Sequence, residues 1–86
     1  MNNVTIVGKC KNITKINPNK YIINIISSSP INKKIAIPIY ISKSDFINKI
    51  KTNDLIGING YIDISDDVII LIALKITWLP QKKVSI

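Results

Sequence analysis

The chain has 86 residues and a net charge of +7, with lysine as its sole strong cation, aspartate as its sole acid, and no histidine. That length gives one domain with a small core, near the size at which single-core folds gain from association, and the basic balance favours a polyanion as partner. A lone Cys excludes an internal disulfide and, without His, leaves too few ligands for a transition-metal site, so neither metal nor cofactor is expected.

The chain opens Met-Asn-Asn-Val-Thr-Ile, without a charged-then-apolar leader. Its longest apolar run, Val68 to Leu74, falls far short of the roughly 20 residues of a membrane span. An intracellular, cytoplasmic protein is therefore expected.

Val4, Ile6, Gly8 and Cys10 alternate with Thr5, Val7, Lys9 and Lys11, so the first strand has an apolar face and a face ending in lysines. Cys10 reads as a small buried residue. Asn12 to Lys20 is polar and holds the turn signal Pro18-Asn19. Tyr21 to Ser28 is the second strand, with Ile on both faces, and Ser27 to Lys33 is a loop with a basic end.

In the third strand, Ile35, Ile37, Ile39 and Ile41 share one face and Tyr40 lies on the other. Pro38 cannot donate to a ladder, so that strand belongs at an edge or is bulged there. Ser42 and Asp45 approximate a capping box, Phe46, Ile47 and Ile50 form one apolar side, and Lys49 and Lys51 suit the negative end of a helix dipole. This predicts a short helix that ends at Asn53 in a left-handed conformation.

The period then returns to two. Ile56, Ile58, Ile62 and Ile64 oppose Gly57, Asn59, Tyr61 and Asp63 in a fourth strand, and Ser65-Asp66-Asp67 makes a very short hairpin turn. The fifth strand, Val68 to Leu79, is apolar on both faces, which suggests a second cover such as a partner subunit. Pro80 to Ile86 reads as a flexible basic end.

These elements describe an all-β fold with one short helix: a five-stranded OB-fold Greek-key barrel, residues 1–79, with the helix between strands three and four. The chain also resembles bacterial and phage single-stranded DNA-binding proteins over its full length. Met-Asn-Asn-Val-Thr-Ile-Val-Gly-Lys is similar to that family's start, Pro18-Asn19 with Ile23-Asn24-Ile25 to its turn and second strand, and Asp45-Phe46 with Asn53 to Gly60 to its later strand entry. Ile76-Thr77-Trp78-Leu79 is similar to its closing strand.

The departures are a very short connection between strands four and five, Lys34 where the family has an aromatic, and no acidic C-terminal tail for recruiting repair enzymes. The resemblance implies a short member that binds single-stranded DNA without sequence preference, as a homodimer or homotetramer, in an accessory role in replication, recombination or repair.

Such binding needs aromatic faces for bases and cations for phosphates. Tyr40 is the first stacking candidate and Tyr61 the second, with Lys9, Lys11, Lys34 and Lys43 as phosphate contacts. Tyr21, equally readable as core or loop cover, and Trp78, more readily read as core or interface, are further stacking candidates. No two of Asp45, Asp54, Asp63, Asp66 and Asp67 form an acid–base pair, so no enzyme is expected. The alternatives are a protein-binding OB adaptor of the primosomal type and an RNA-binding OB protein.

Overall fold

The computed structural model describes residues 2–28, 34–42 and 46–80. Chains rich in isoleucine favour extended backbone, because a branched Cβ packs well on a pleated, half-buried surface. Five strands form: β1 (Val4–Asn17), β2 (Lys20–Ser28), β3 (Lys34–Ser42), β4 (Leu55–Ser65) and β5 (Val68–Trp78). β1, β2 and β3 make an antiparallel meander, β4 returns to the far side of β1, and β5 pairs with β4. A short parallel contact, Ile39 with Leu71 and Tyr40 with Ile72, closes the barrel in the order β1-β2-β3-β5-β4.

The alternation that defines each strand also fills this barrel. Ile23, Ile25, Ile39, Ile56 and Ile58 are buried, with Cys10, Ala73 and Ile76 among them. Each fully buried isoleucine contributes about 1.5–3 kcal/mol. Pro38 lies opposite Asn24 just outside the parallel contact, so one edge of β3 is unpaired where a residue lacking an N–H stands.

The helix expected between β3 and β4 is not there among the described residues: a single turn begins at Phe46, and Asp45 of the expected capping box lies outside them. Its carbonyl accepts from the N–H groups of Lys49 (3.0 Å) and Ile50 (3.1 Å), and nothing propagates beyond. The physical reason is competition from a distant strand. Cys10 of β1 donates to the carbonyl of Asp54 and accepts from the N–H of Asn53, so two residues oppose one in a bulge that draws the segment into the sheet. A first helical turn is costly to nucleate, and the span left is too short to recover that cost.

Asn53 is left-handed (φ 74°), as the third residue of a Lys51–Asp54 turn closed by Asp54 N–H to Lys51 carbonyl. A positive φ at that position belongs to a type II turn, where Asn is tolerated. Even without a helix the segment seals one end of the barrel, because Ile47 and Ile50 are buried in the core.

Three single-residue bulges change which side chains face inward. β1 carries extra residues at Lys11 and Ile16, and so continues through the polar stretch up to the Pro18-Asn19 turn. β5 carries one at Leu74, opposite Asn59 and Gly60. Before that bulge Leu71 and Ala73 face the core; after it Ile76 and Trp78 do, while Leu74 is exposed. The doubly apolar pattern of β5 is thus two half-strands out of phase. Gly60 sits so close to β5 at this point that a methyl group would run into the Ile72 carbonyl, and Gly8 stands in the same relation to the Ile26 carbonyl.

Candidate nucleic-acid interface

Cross-strand register sets the outer surface of the barrel. Ile39 and Ile41 point into the core, so Tyr40 between them faces out, half-buried. It lies opposite Ile22 on β2 and, through the parallel contact, beside Ile72 on β5. Ile72 in turn lies opposite Tyr61 on β4. Ile22, Tyr40, Ile72 and Tyr61 therefore form one half-buried band around the outside of the barrel, with the two tyrosines about 10 Å apart across two strand spacings.

Polar groups flank the band. Asn24 Nδ2 donates to Asn12 Oδ1 at 2.7 Å on one side, and the Thr5 hydroxyl donates to Asn59 Oδ1 at 2.8 Å on another. Lys9, opposite Ile26, and Lys20, opposite Ser42, are exposed and bracket the outer face of β1–β2–β3 about 20 Å apart along the strands. No carboxylate precedes Asp45 in the sequence, so this half of the barrel is uniformly basic.

Among the sequence candidates, the fold thus brings Tyr40, Tyr61 and Lys9 to the outer barrel, while Lys11 is exposed at the β1 bulge. Lys34 is placed through its backbone alone, opposite Ser28, and Lys43 lies outside the described residues, as do Lys82 and Lys83. Tyr21 and Trp78 are elsewhere. Tyr21 packs against the core opposite Ile41. Trp78 packs against the core at the sealed end, its ring 5.8 Å from that of Phe46 at 41° and its indole N–H on Asp54 Oδ2 at 3.3 Å.

Two members of the outer face are not evident from the sequence candidates. Lys20 ends the polar stretch Asn12 to Lys20, although its place directly after the Pro18-Asn19 turn marks the start of β2. Ile72 becomes the spacer between two tyrosines through long-range pairing alone. Cys10 is buried, and desolvation, then the charge of Asp54, hold its thiol above the ordinary 9.0. A buried thiol of raised pKa is not a nucleophile.

Neither a protein-family model nor a curated protein matches this chain. Solved structures do. The dimeric N-terminal domain of PriB protein from Thermoanaerobacter tencongensis superposes with TM-score 0.74 and 19% identity, over 93% of this chain and 98% of that one. The mitochondrial single-stranded DNA-binding protein Rim1 of S. cerevisiae gives 0.69 and 18%, over 94% and 97%. A replication protein A heterotrimer bound to ssDNA gives 0.71 and 11%, over 94% of this chain and 60% of that one.

The architecture is that of an OB fold. At these identities the likeness fixes the fold alone. Among the described residues no group of three or more His, Cys, Asp or Glu side chains could hold a metal ion, and no helix is long and apolar enough to cross a membrane.

Proposed function

We propose that this chain binds single-stranded DNA without sequence preference, through bases stacked on Tyr40 and Tyr61 and phosphates held by lysines. The observation that carries the reading is the pair of half-buried tyrosines on either side of Ile72, on a barrel whose β1–β3 half is basic and free of acids. Each stacked base contributes about 1–3 kcal/mol whatever its identity, because every base offers a π-face. Lys9, Lys11 and Lys20 supply phosphate contacts, and Lys34 and Lys43 join them on the strength of the sequence pattern.

The same architecture in a mitochondrial single-stranded DNA-binding protein and in a heterotrimer bound to ssDNA supports this role. An accessory part in replication, recombination or repair, in the cytoplasm, goes with it. The test is a titration of oligo-dT, oligo-rU and a matching duplex at several salt concentrations. Single-strand preference with affinity falling linearly in log salt supports the reading; equal affinity for single strand and duplex defeats it.

A second reading, an adaptor that binds protein, is favoured by one observation. Ile64 and Ile69 are 70% and 71% exposed on the outer part of the β4–β5 hairpin.

A further inference from the structure

The β4–β5 hairpin extends past the barrel. Pairing of β4 with β1 ends at Val4–Gly60 and pairing of β5 with β3 is confined to Leu71 and Ile72, yet β4 and β5 stay paired to Ser65 and Val68. The outer residues form a two-stranded arm closed by Asp66 and Asp67, both left-handed (φ 50° and 63°), as a two-residue type I′ turn requires. Ile64, Val68 and Ile69 on this arm are mostly exposed. Asp63, Asp66 and Asp67 give it negative charge, and no lysine falls between Thr52 and Lys75.

The free edge of β4 on this arm is already satisfied. Asn2 stands in for a strand neighbour, its Oδ1 accepting from Ile62 N–H at 2.7 Å and its Nδ2 donating to the Ile62 carbonyl at 3.3 Å. Asp63 Oδ1 accepts the next outward-facing N–H, that of Ile64, at 2.8 Å. Strand addition at this edge would have to displace both side chains, which favours a partner that meets the arm through side chains.

Charge selects the partner. Two arms together would gather six carboxylates without a cation. At the other end of the same chain, the β1–β2 hairpin carries Lys15 and Lys20 beside Ile16, which is 48% exposed, with Lys11 further along β1, and has no acid. An apolar residue flanked by lysines complements apolar residues flanked by aspartates.

We propose that the β4–β5 arm is a self-association surface, seated on the β1–β2 hairpin of a second copy of this chain. In a dimer each arm would seat on the other copy's hairpin about one two-fold axis. Its receiving surface shares Lys11 and Lys20 with the DNA-binding proposal, but the association is measured without nucleic acid, so either reading can fail alone.

Sedimentation velocity of the full chain over a range of concentrations, at low and moderate salt, tests it. Wild type is expected to dimerise, less tightly as salt rises. The pair Ile64→Lys with Ile69→Lys, and the neutral arm Asp63→Asn, Asp66→Asn, Asp67→Gly, are each expected to weaken dimerisation about tenfold or more. Both sets sit on exposed positions and suit the turn, so the circular dichroism spectrum stays that of a folded barrel. Lys15→Glu with Lys20→Glu is expected to dissociate the dimer equally. A wild type that stays monomeric, or a dimer that the arm variants leave intact, overturns the proposal. A dimer abolished in the arm variants but kept in the lysine variant overturns the assignment of its receiving surface.

Discussion

The indole N–H of Trp78 donates to Asp54 Oδ2 at 3.3 Å, joining the end of β5 to the turn that precedes β4. The same carboxylate oxygen accepts the N–H of Lys51 at 2.8 Å, and the Asp54 carbonyl accepts from Cys10. One residue thereby holds three parts of the sealed barrel end. Asp54→Ala is expected to lower stability by about 1–3 kcal/mol in urea unfolding, since it leaves a half-buried indole donor without its charged acceptor. Trp78→Phe, which keeps a ring against Phe46, should cost less, and the double variant should fall short of the sum because the two residues are coupled.

Close backbone approach gives a second test. Gly60→Ala must push β5 away at the Ile72 carbonyl and is expected to destabilise the fold by about 1–3 kcal/mol. Gly57→Ala meets nothing nearer than the Val7 side chain at 3.9 Å and should change stability by less than about 0.5 kcal/mol. Equal denaturation midpoints for the two variants would refute the close packing at the β5 bulge.

Cys10 links stability to alkaline pH. Its folded-state thiol titrates above the ordinary 9.0, so the folded chain holds a proton that the unfolded chain releases. The stabilisation is fully present below pH 9 and is lost as pH rises toward the folded value. Cys10→Ala is expected to remove that part of the alkaline decline, read as the difference between the two stability curves from pH 8 to pH 10. Parallel curves would show that the thiol is not protected.

Much of the barrel was legible in the chain because alternation holds wherever a strand lines the core, as with Ile39 and Ile41 in β3 and Ile56 and Ile58 in β4. Ile35 to Ile41 alternate cleanly and β3 follows. What misled was local evidence without its distant partner. Ser42, Asp45, Phe46, Ile47 and Ile50 satisfy a helix pattern, but with the clamp from Cys10 onto Asn53 and Asp54, far away in sequence, residues 46–54 form a plug of turns. Asn53 was readable as left-handed because its side chain tolerates that conformation, while the turn around it was not. In β5 both faces are apolar, so the extra residue at Leu74 left no mark on the pattern. The outer tyrosine of β3 could be read from alternation; its pairing through Ile72 with Tyr61 depends on barrel closure, which no local period encodes.

Lysine placement predicts how binding responds to charge. Lys9→Gln and Lys20→Gln should each weaken oligo-dT binding and reduce the slope of log affinity against log salt by about 0.7 for each phosphate left without its cation. Lys75→Gln, on β5 opposite Asn59, should alter the slope less. Equal slopes for all three variants would mean that the cations act as diffuse charge.

The most direct test of the nucleic-acid reading is fluorescence anisotropy of labelled oligo-dT with wild type, Tyr40→Ala, Tyr61→Ala and Tyr21→Phe at one moderate salt concentration. The account predicts that each of the first two variants loses about 1–3 kcal/mol of binding free energy, while Tyr21→Phe, which keeps its ring against the core, binds as wild type does. Affinity unchanged in both Tyr40→Ala and Tyr61→Ala would contradict stacking on the outer band.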